Sequence, residues 1–505
     1  MRVLSGHHSW LGVTALAATL LYVGFTSGAA AQSMLRQSHC ATEALMTLGA
    51  TCYEFTGEEN WDHPNGKTVT LPVAVLSNGD SDPQLTPVFF FFGGPGATHL
   101  ANEEKIQATL EDIKPRRLVL VEPRGFMYAR PALHCPGLNA INHYWRQFAP
   151  DVFDPVDLDT RIKQQSDYVQ ACYHKLKKDG VDVTKYTDYE IVRDYEEIRE
   201  ALGYESIDLY GVSTGAGTVL SFLKYHGAHV RSAVLGWPWI NELRNRPAID
   251  EFFTLKQVYA DILATCVRES KECSQRFPGY MFEVDRVRAI LDAKPYETTV
   301  STETGGQRKV RIDGAAFLSQ LYIYLPDNYH LLPKVLGAIK RDDYASLNEF
   351  FNLGAIDKVQ PETPPWALGH LWAHMCGDMG KNRPTPEESI AMIKREPALM
   401  GFEPNLLCAW WGEDSDVPVN LNTPPVVGLP VLALHGQLDT CCGTRWSEIL
   451  MKTMPNLQRV ELQGQGHGAD SPCRHRIISA FLSSPRAKVD DSCKNDEPLR
   501  NWLFE

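Results

Sequence analysis

Short, continuous apolar runs punctuate this chain. Pro87-Val88-Phe89-Phe90-Phe91-Phe92 and Arg117-Leu118-Val119-Leu120-Val121 show no polar alternation. A strand apolar on both faces is one that helices cover on both sides, so both runs are predicted as central strands. Val69 to Leu76 alternates enough to be an early strand. Ile207 to Tyr210, Ser232 to Leu235, Pro430 to Gly436 and Gln458 to Leu462 predict four more. Between them the period changes. Asp188 to Leu202 puts Ile191, Tyr195, Ile198 and Leu202 on one helical face, and a second helix is expected from about Ala216 to Tyr225. Strands that alternate with helices imply a mostly parallel sheet with right-handed crossovers.

From Gly236 to about Pro425 this rhythm is lost. The segment reads as helix-rich and carries many aromatics, among them Trp237, Trp239, Phe252, Tyr322, Trp372 and Trp411. Most are expected to form the segment's own core. The expected organisation is a leader over residues 1–31, a sheet domain over 32–236, an inserted lid over 237–424, and the rest of the sheet domain over 425–505.

The leader reading rests on Arg2, the apolar run Leu11 to Phe25, and Ala29-Ala30-Ala31 before Gln32. That is the charge, core and small-residue pattern of a secretory signal. A membrane anchor is the alternative, but the run is shorter than the ~20 residues a spanning helix needs. All twelve cysteines follow that point, which fits an oxidising compartment, secreted or periplasmic. None forms a C-x-x-C pair, which argues against a zinc ribbon or thioredoxin-like site. Spacing does not fix connectivity. Nearest-neighbour pairing is the simplest proposal: 40–52, 135–172, 266–273, 376–408 and 473–493. Cys441 and Cys442 remain, either as a strained vicinal disulfide or reduced. With 505 residues, 44% of them hydrophobic, the chain can bury a large core. A net charge of −13 argues against a general nucleic-acid binder. No cofactor and no metal is expected, nor stable insertion in a membrane.

Chemistry enters at Gly211-Val212-Ser213-Thr214-Gly215, between the strand 207–210 and the following helix. G-x-S-x-G in a strand–turn–helix context places a serine on a sharp turn, with its hydroxyl clear of the sheet. A serine needs a base to become a nucleophile, and the base needs an orienting acid. Asp439 follows the strand 430–436, and His467 follows the strand 458–462 within Gly464-Gln465-Gly466-His467-Gly468. Both are expected on loops at the carboxyl ends of strands, where open α/β sheets build their sites. The order Ser, Asp, His is the one this turn requires. An oxyanion hole is expected from the backbone N–H of Thr214 and one from Gly93-Gly94-Pro95-Gly96. Proline has no N–H, so Gly94 is preferred and Gly96 held in reserve.

On these pieces the chain resembles the secreted bacterial prolyl/tripeptidyl aminopeptidase branch of the α/β-hydrolases. The resemblance is carried by Gly93-Gly94-Pro95-Gly96, Arg124-Gly125, Asp194 with Arg199 to Gly203, Gly211 to Gly215, Gly436 to Asp439 and Gly466-His467-Gly468. The cysteine tail from Cys473 to Cys493 and the pairs 135–172, 266–273 and 376–408 belong to it too. It implies an α/β-hydrolase fold with an inserted helical lid, a serine peptidase acting through an acyl-enzyme, and peptide substrates with a free N-terminus. It further points to Asp378, after Cys376, as an acid that binds the substrate's ammonium, with Glu242 and Asp250 in reserve. Departures are present. Phe92 stands where these peptidases usually have His, Thr214 replaces an aromatic, Glu122 to Met127 is poorer in glycine, and Cys441-Cys442 replace a Pro/Thr-rich stretch. They leave open an esterase or other acyl hydrolase with the same triad. A non-catalytic binding protein on this fold is a third reading. The preferred residues, the length of the released fragment and the oligomeric state are not legible.

Overall fold

The computed structural model describes residues 34–505, apart from 78, 80, 95, 136–154, 241–246, 302–305, 352, 354–366, 402–403, 413 and 498. The expected leader, Pro95 and Glu242 lie outside the described residues.

Among the described residues, nine strands form the main sheet: β1 (Leu35–Gln37), β2 (Thr51–Glu58), β3 (Thr68–Leu76), β4 (Val88–Phe91), β5 (Leu118–Val121), β6 (Ile207–Val212), β7 (Val230–Gly236), then β10 (Val431–Gly436) and β11 (Leu457–Leu462). Strands β8 (Tyr296–Ser301) and β9 (Gln307–Ile312) form a separate antiparallel hairpin. The order in the main sheet is β1-β2-β3-β5-β4-β6-β7-β10-β11. The run from β5 to β11 is parallel throughout, and β1, β2 and β3 join it antiparallel at one edge. Every residue of β4, β5 and β10 is buried, which is why β4 and β5 carry no polar positions and β10 carries His435 alone.

Helix Asp188–Ala201 packs on this sheet. The Tyr195 ring stacks on Phe91 at 4.3 Å, and its hydroxyl donates to the Val121 carbonyl at 3.1 Å. The same helix carries Asp194, which receives a bidentate guanidinium fork from Arg124, both bonds 2.7 Å. Arg124 also donates to the carbonyls of Glu58, Glu59 and Lys185. Both partners are buried. Two residues that carried the resemblance therefore tie β2, the loop after β5 and this helix together.

The segment between β7 and β10 is largely helical, with helices such as Pro247–Glu269, Gly314–Asn328 and Leu368–Met379. The hairpin β8–β9 was not expected there. Its strands are rich in Thr, Glu, Lys and Arg and half exposed, so they offer little apolar alternation to read. All five nearest-neighbour disulfides are present, 40–52, 135–172, 266–273, 376–408 and 473–493. Cys441 and Cys442 are thiols outside any disulfide. Among the described residues no helix is long and apolar enough to cross a membrane.

Register brings four loops to one edge. Phe91 pairs with Gly211, Val212 with Gly236, Leu434 with Gly236, and Gly436 with Leu462. The loops that leave β4, β6, β10 and β11 therefore emerge side by side at the carboxyl ends of the strands, where such sheets form their clefts.

Candidate active site

Ser213 occupies the turn between β6 and helix Thr214–His226, with φ 56° and ψ −126°. A non-glycine residue at positive φ is strained, and the cost is borne by the packing around it. That packing is tight. A Cβ on Gly215 would lie 2.2 Å from the Phe91 carbonyl oxygen, so only glycine lets the elbow helix start this close to β4. A Cβ on Gly93 would lie 2.5 Å from the Val212 carbonyl oxygen and 2.7 Å from Ser213 Cβ. The loop after β4 therefore crosses directly over the serine. Ser213 precedes the first turn of its helix, where backbone N–H groups lack intrahelical partners and favour negative charge.

The loop after β10 places Asp439 in full burial, and the loop after β11 places His467 with its side chain one-third exposed. His467 Nδ1 lies 3.0 Å from Asp439 Oδ2. The other carboxylate oxygen accepts the N–H groups of Cys441 at 2.9 Å and Cys442 at 3.0 Å. Burial alone would raise the Asp439 carboxyl. The His467 ring and the two amides outweigh it and hold the group below the ordinary carboxylate range. It is thus an anion facing an imidazole. His435 reinforces the turn, its Nδ1 2.9 Å from the Cys442 carbonyl. Burial brings that imidazole down to about 4, so it is neutral and donates there.

Gly94 and Thr214, the expected oxyanion donors, meet across the site. The Gly94 N–H donates to Thr214 Oγ1 at 3.1 Å. The amide thus points toward the elbow and is satisfied by a side chain in this structure.

Asp378 requires a correction. Its carboxylate is already paired with the buried His374 imidazole rather than placed to receive an ammonium. Its Oδ1 accepts the Asp188 N–H at 2.9 Å, and its Oδ2 lies 3.1 Å from His374 Nε2. His374 Nε2 is also 2.8 Å from Asp188 Oδ1. Asp188 in turn accepts the hydroxyls of Thr218 at 2.8 Å and Ser221 at 2.9 Å, both on the elbow helix. The Asp188–His374–Asp378 cluster clamps helix Leu368–Met379 to the two helices beside the serine. The acid two residues after Cys376 is legible as important, but of its partners only His374 is local, one turn away on the same helix, while Asp188 lies 190 positions away in sequence.

The neighbouring cavity has about 20 Å³ for water centres and is bordered by Thr214, Thr218, His370 and His374. That admits a water, not a substrate side chain.

The cluster makes stability depend on pH. Burial disfavours charge on His374, but Asp378 and Asp188 overcome it and raise the imidazole from 6.5 to about 9. A folded-state pKa above the unfolded value stabilises fully below about pH 6.5, and the contribution is lost as pH rises through about 9. The thermal midpoint is therefore expected to fall between pH 7 and 10 at fixed salt. In His374→Gln it should be lower at pH 7 and flatter across that range. An equal slope in the variant would remove His374 as the source.

Sequence reading missed Glu251, one residue from the reserve acid Asp250. Glu251 is buried and accepts Trp239 Nε1–H at 3.3 Å and the Tyr322 hydroxyl at 2.8 Å. The Trp239 backbone N–H donates to the Ser213 carbonyl at 3.2 Å. Cys441 Sγ lies 3.8 Å from Glu251 Oε1. A carboxylate of the segment between β7 and β10 is thus wired to both the serine turn and the Asp439 turn. Nothing in the local sequence distinguishes it from Asp250. Asp250 itself lies 3.6 Å from Arg445.

Two groups of side chains bring three metal-ligating atoms within 4.8 Å of one another: Cys441, Cys442 and His467, and Asp188, His374 and Asp378. In the second group His374 Nε2 already bridges both carboxylates.

A parallel sheet with a strained serine at its carboxyl edge, and a His–Asp pair on the loops after two later strands, defines an α/β hydrolase. Residues 86–469 match the alpha/beta hydrolase fold family, and the chain belongs to it. Solved structures similar to it include a proline iminopeptidase from Mycobacterium smegmatis, at 14% identity over 84% of this chain and 97% of that one, TM-score 0.36. A thermophilic esterase from Thermogutta terrifontis is similar at 14% identity over 84% and 96%, TM-score 0.33. A proline iminopeptidase-related protein from Thermus thermophilus is similar at 15% over 86% and 98%, TM-score 0.33. No curated protein matches the sequence.

Proposed function

We propose that the protein is a secreted or periplasmic serine hydrolase, and that it acts as an exopeptidase releasing short N-terminal units from peptides. The observation that carries the hydrolase reading is the His467–Asp439 hydrogen bond at the sheet edge that also presents the strained Ser213. In this reading Ser213 Oγ attacks the acyl carbon while His467 takes its proton. Asp439 holds the ring and stabilises its positive charge. The tetrahedral oxyanion accepts the N–H groups of Thr214 and Gly94. As a charged acceptor it competes well with the Thr214 hydroxyl for the Gly94 amide. His467 then protonates the departing amine, and a water activated by the same imidazole releases the acyl group.

The exopeptidase reading is supported by the motif resemblance, and the secreted or periplasmic one by the signal-like leader and the five disulfides. With Asp378 committed elsewhere, Glu251 takes its place as the acid proposed to meet the ammonium. The proline iminopeptidase and esterase neighbours share the fold alone and do not choose between chemistries. The esterase reading gains from the pairing of Asp378 with His374, which removes one acid that amine recognition would have used.

Blocking the substrate amine separates the two. An acetyl cap removes the ammonium and with it the charge attraction to an acid in the site, at a cost of several kcal/mol. Free-amine peptide anilides are expected to be cleaved at least ~100-fold faster than acetylated ones, with that preference much reduced in Glu251→Gln. Comparable rates on both substrates, with faster turnover of short nitrophenyl esters, would establish the esterase instead.

A further inference from the structure

Hydrolysis makes no use of the thiols of Cys441 and Cys442. Their backbone N–H groups hold Asp439, while their sulfurs lie beside Glu251 and His467. Neither is in a disulfide, Cys442 is fully buried and Cys441 nearly so. The two Sγ atoms lie 2.7 Å apart, closer than unbonded sulfurs ordinarily rest. A ring nitrogen of His467 lies within 4.8 Å of both. The one-third exposure of the His467 side chain opens this group to solvent. Carboxylates flank it, with Glu251 3.8 Å from Cys441 Sγ and Asp439 3.0 Å from His467.

Two thiolates and an imidazole are the donor set of zinc and its softer relatives. A tetrahedral ion with metal–sulfur bonds near ~2.3 Å would set the sulfurs about 3.8 Å apart. Binding therefore asks the two side chains to part by about 1 Å. Three protein ligands leave the fourth position to water, beside the exposed edge of the imidazole. The nearby carboxylates favour a cation.

We propose that Cys441, Cys442 and His467 form a site for a soft divalent cation, Zn²⁺ or Cd²⁺, whose occupation withdraws His467 from hydrolysis. Two thiols and one M²⁺ give a dithiolate complex and release two protons to solvent; no electron is transferred. The site itself stands on geometry alone, and only its inhibitory consequence rests on the reading of His467 as the base.

Cadmium titration of the purified protein tests this, read by the thiolate-to-cadmium charge-transfer absorbance. Wild type and Ser213→Ala should both show the band, saturating at one ion per chain and reversed by EDTA. Cys441→Ser and Cys442→Ser should lose it, since a serine hydroxyl is a poor ligand for a soft ion. His467→Gln should bind at least tenfold more weakly. On whichever substrate the protein hydrolyses, saturating Cd²⁺ should cut the wild-type rate at least tenfold. Each cysteine variant, compared with its own metal-free rate, should be inhibited far less. No band in wild type, a band that survives in both serine variants, or recovery of Cys441 and Cys442 as a disulfide would overturn the site. A full band with undiminished hydrolysis would leave the site and overturn its inhibitory role. A full band in a protein that hydrolyses nothing would instead count against the proposed function.

Discussion

Replacing His467 by alanine is expected to lower kcat by about 10⁴- to 10⁶-fold, with KM far less affected. The size follows from the unit in which the imidazole works. Without a base the Ser213 hydroxyl stays protonated, and only binding and the oxyanion donors remain to accelerate the reaction. Asp439→Asn should cost about 10⁴-fold, because an amide cannot hold the ring in the same tautomer or stabilise its charge. The double variant should be little worse than His467→Ala alone, since the two side chains act together. Steady-state kinetics decides this, with circular dichroism as the check on folding. A loss below tenfold in folded His467→Ala would place the base elsewhere.

The largest effect on stability is expected at the fork between Arg124 and Asp194. Arg124→Leu should destabilise the protein by about 3–5 kcal/mol, because it leaves the Asp194 carboxylate buried without its counter-charge. It also deprives the Glu58, Glu59 and Lys185 carbonyls of their donor. Replacing both partners removes the stranded charge, so Arg124→Leu with Asp194→Leu should recover part of the loss. Thermal midpoints at one scan rate report the order: wild type above the double variant, and the double variant above Arg124→Leu. A single variant as stable as wild type would show that this pair does not hold β2, the loop after β5 and helix Asp188–Ala201 together.

The two residues show what kind of information the sequence holds. Arg124 and Asp194 were recognisable as parts of a pattern, but their role depends on a contact across 70 positions that no local period encodes. The parallel strands were legible because burial on both faces excludes polar residues, as in Val88–Phe91. The hairpin Tyr296–Ser301 and Gln307–Ile312 was not, because its half-exposed strands accept polar side chains at nearly every position. Ser213, Asp439 and His467 stood out because each sits beside glycines or at a strand end, where a sharp turn and an accessible side chain are required together. Asp378 stood out equally and was misread. His374 lies one turn away on its own helix, but Asp188 comes from 190 positions earlier, and together they turn a candidate ligand into a clamp. Glu251 gave no signal, since its distinction from Asp250 lies in which face of one helix meets Trp239 and Tyr322.

The central claim is that Ser213 is the nucleophile of a serine hydrolase, and covalent labelling tests it most directly. A fluorophosphonate reacts with a serine only when a base activates it and a neighbouring hole accepts the developing charge. The purified protein should take up one probe per chain, and mass spectrometry of its peptides should find the adduct on Ser213. Labelling should vanish in Ser213→Ala and fall sharply in His467→Ala. An adduct on another residue, equal labelling of Ser213→Ala, or a folded wild type that takes up no probe would contradict the assignment.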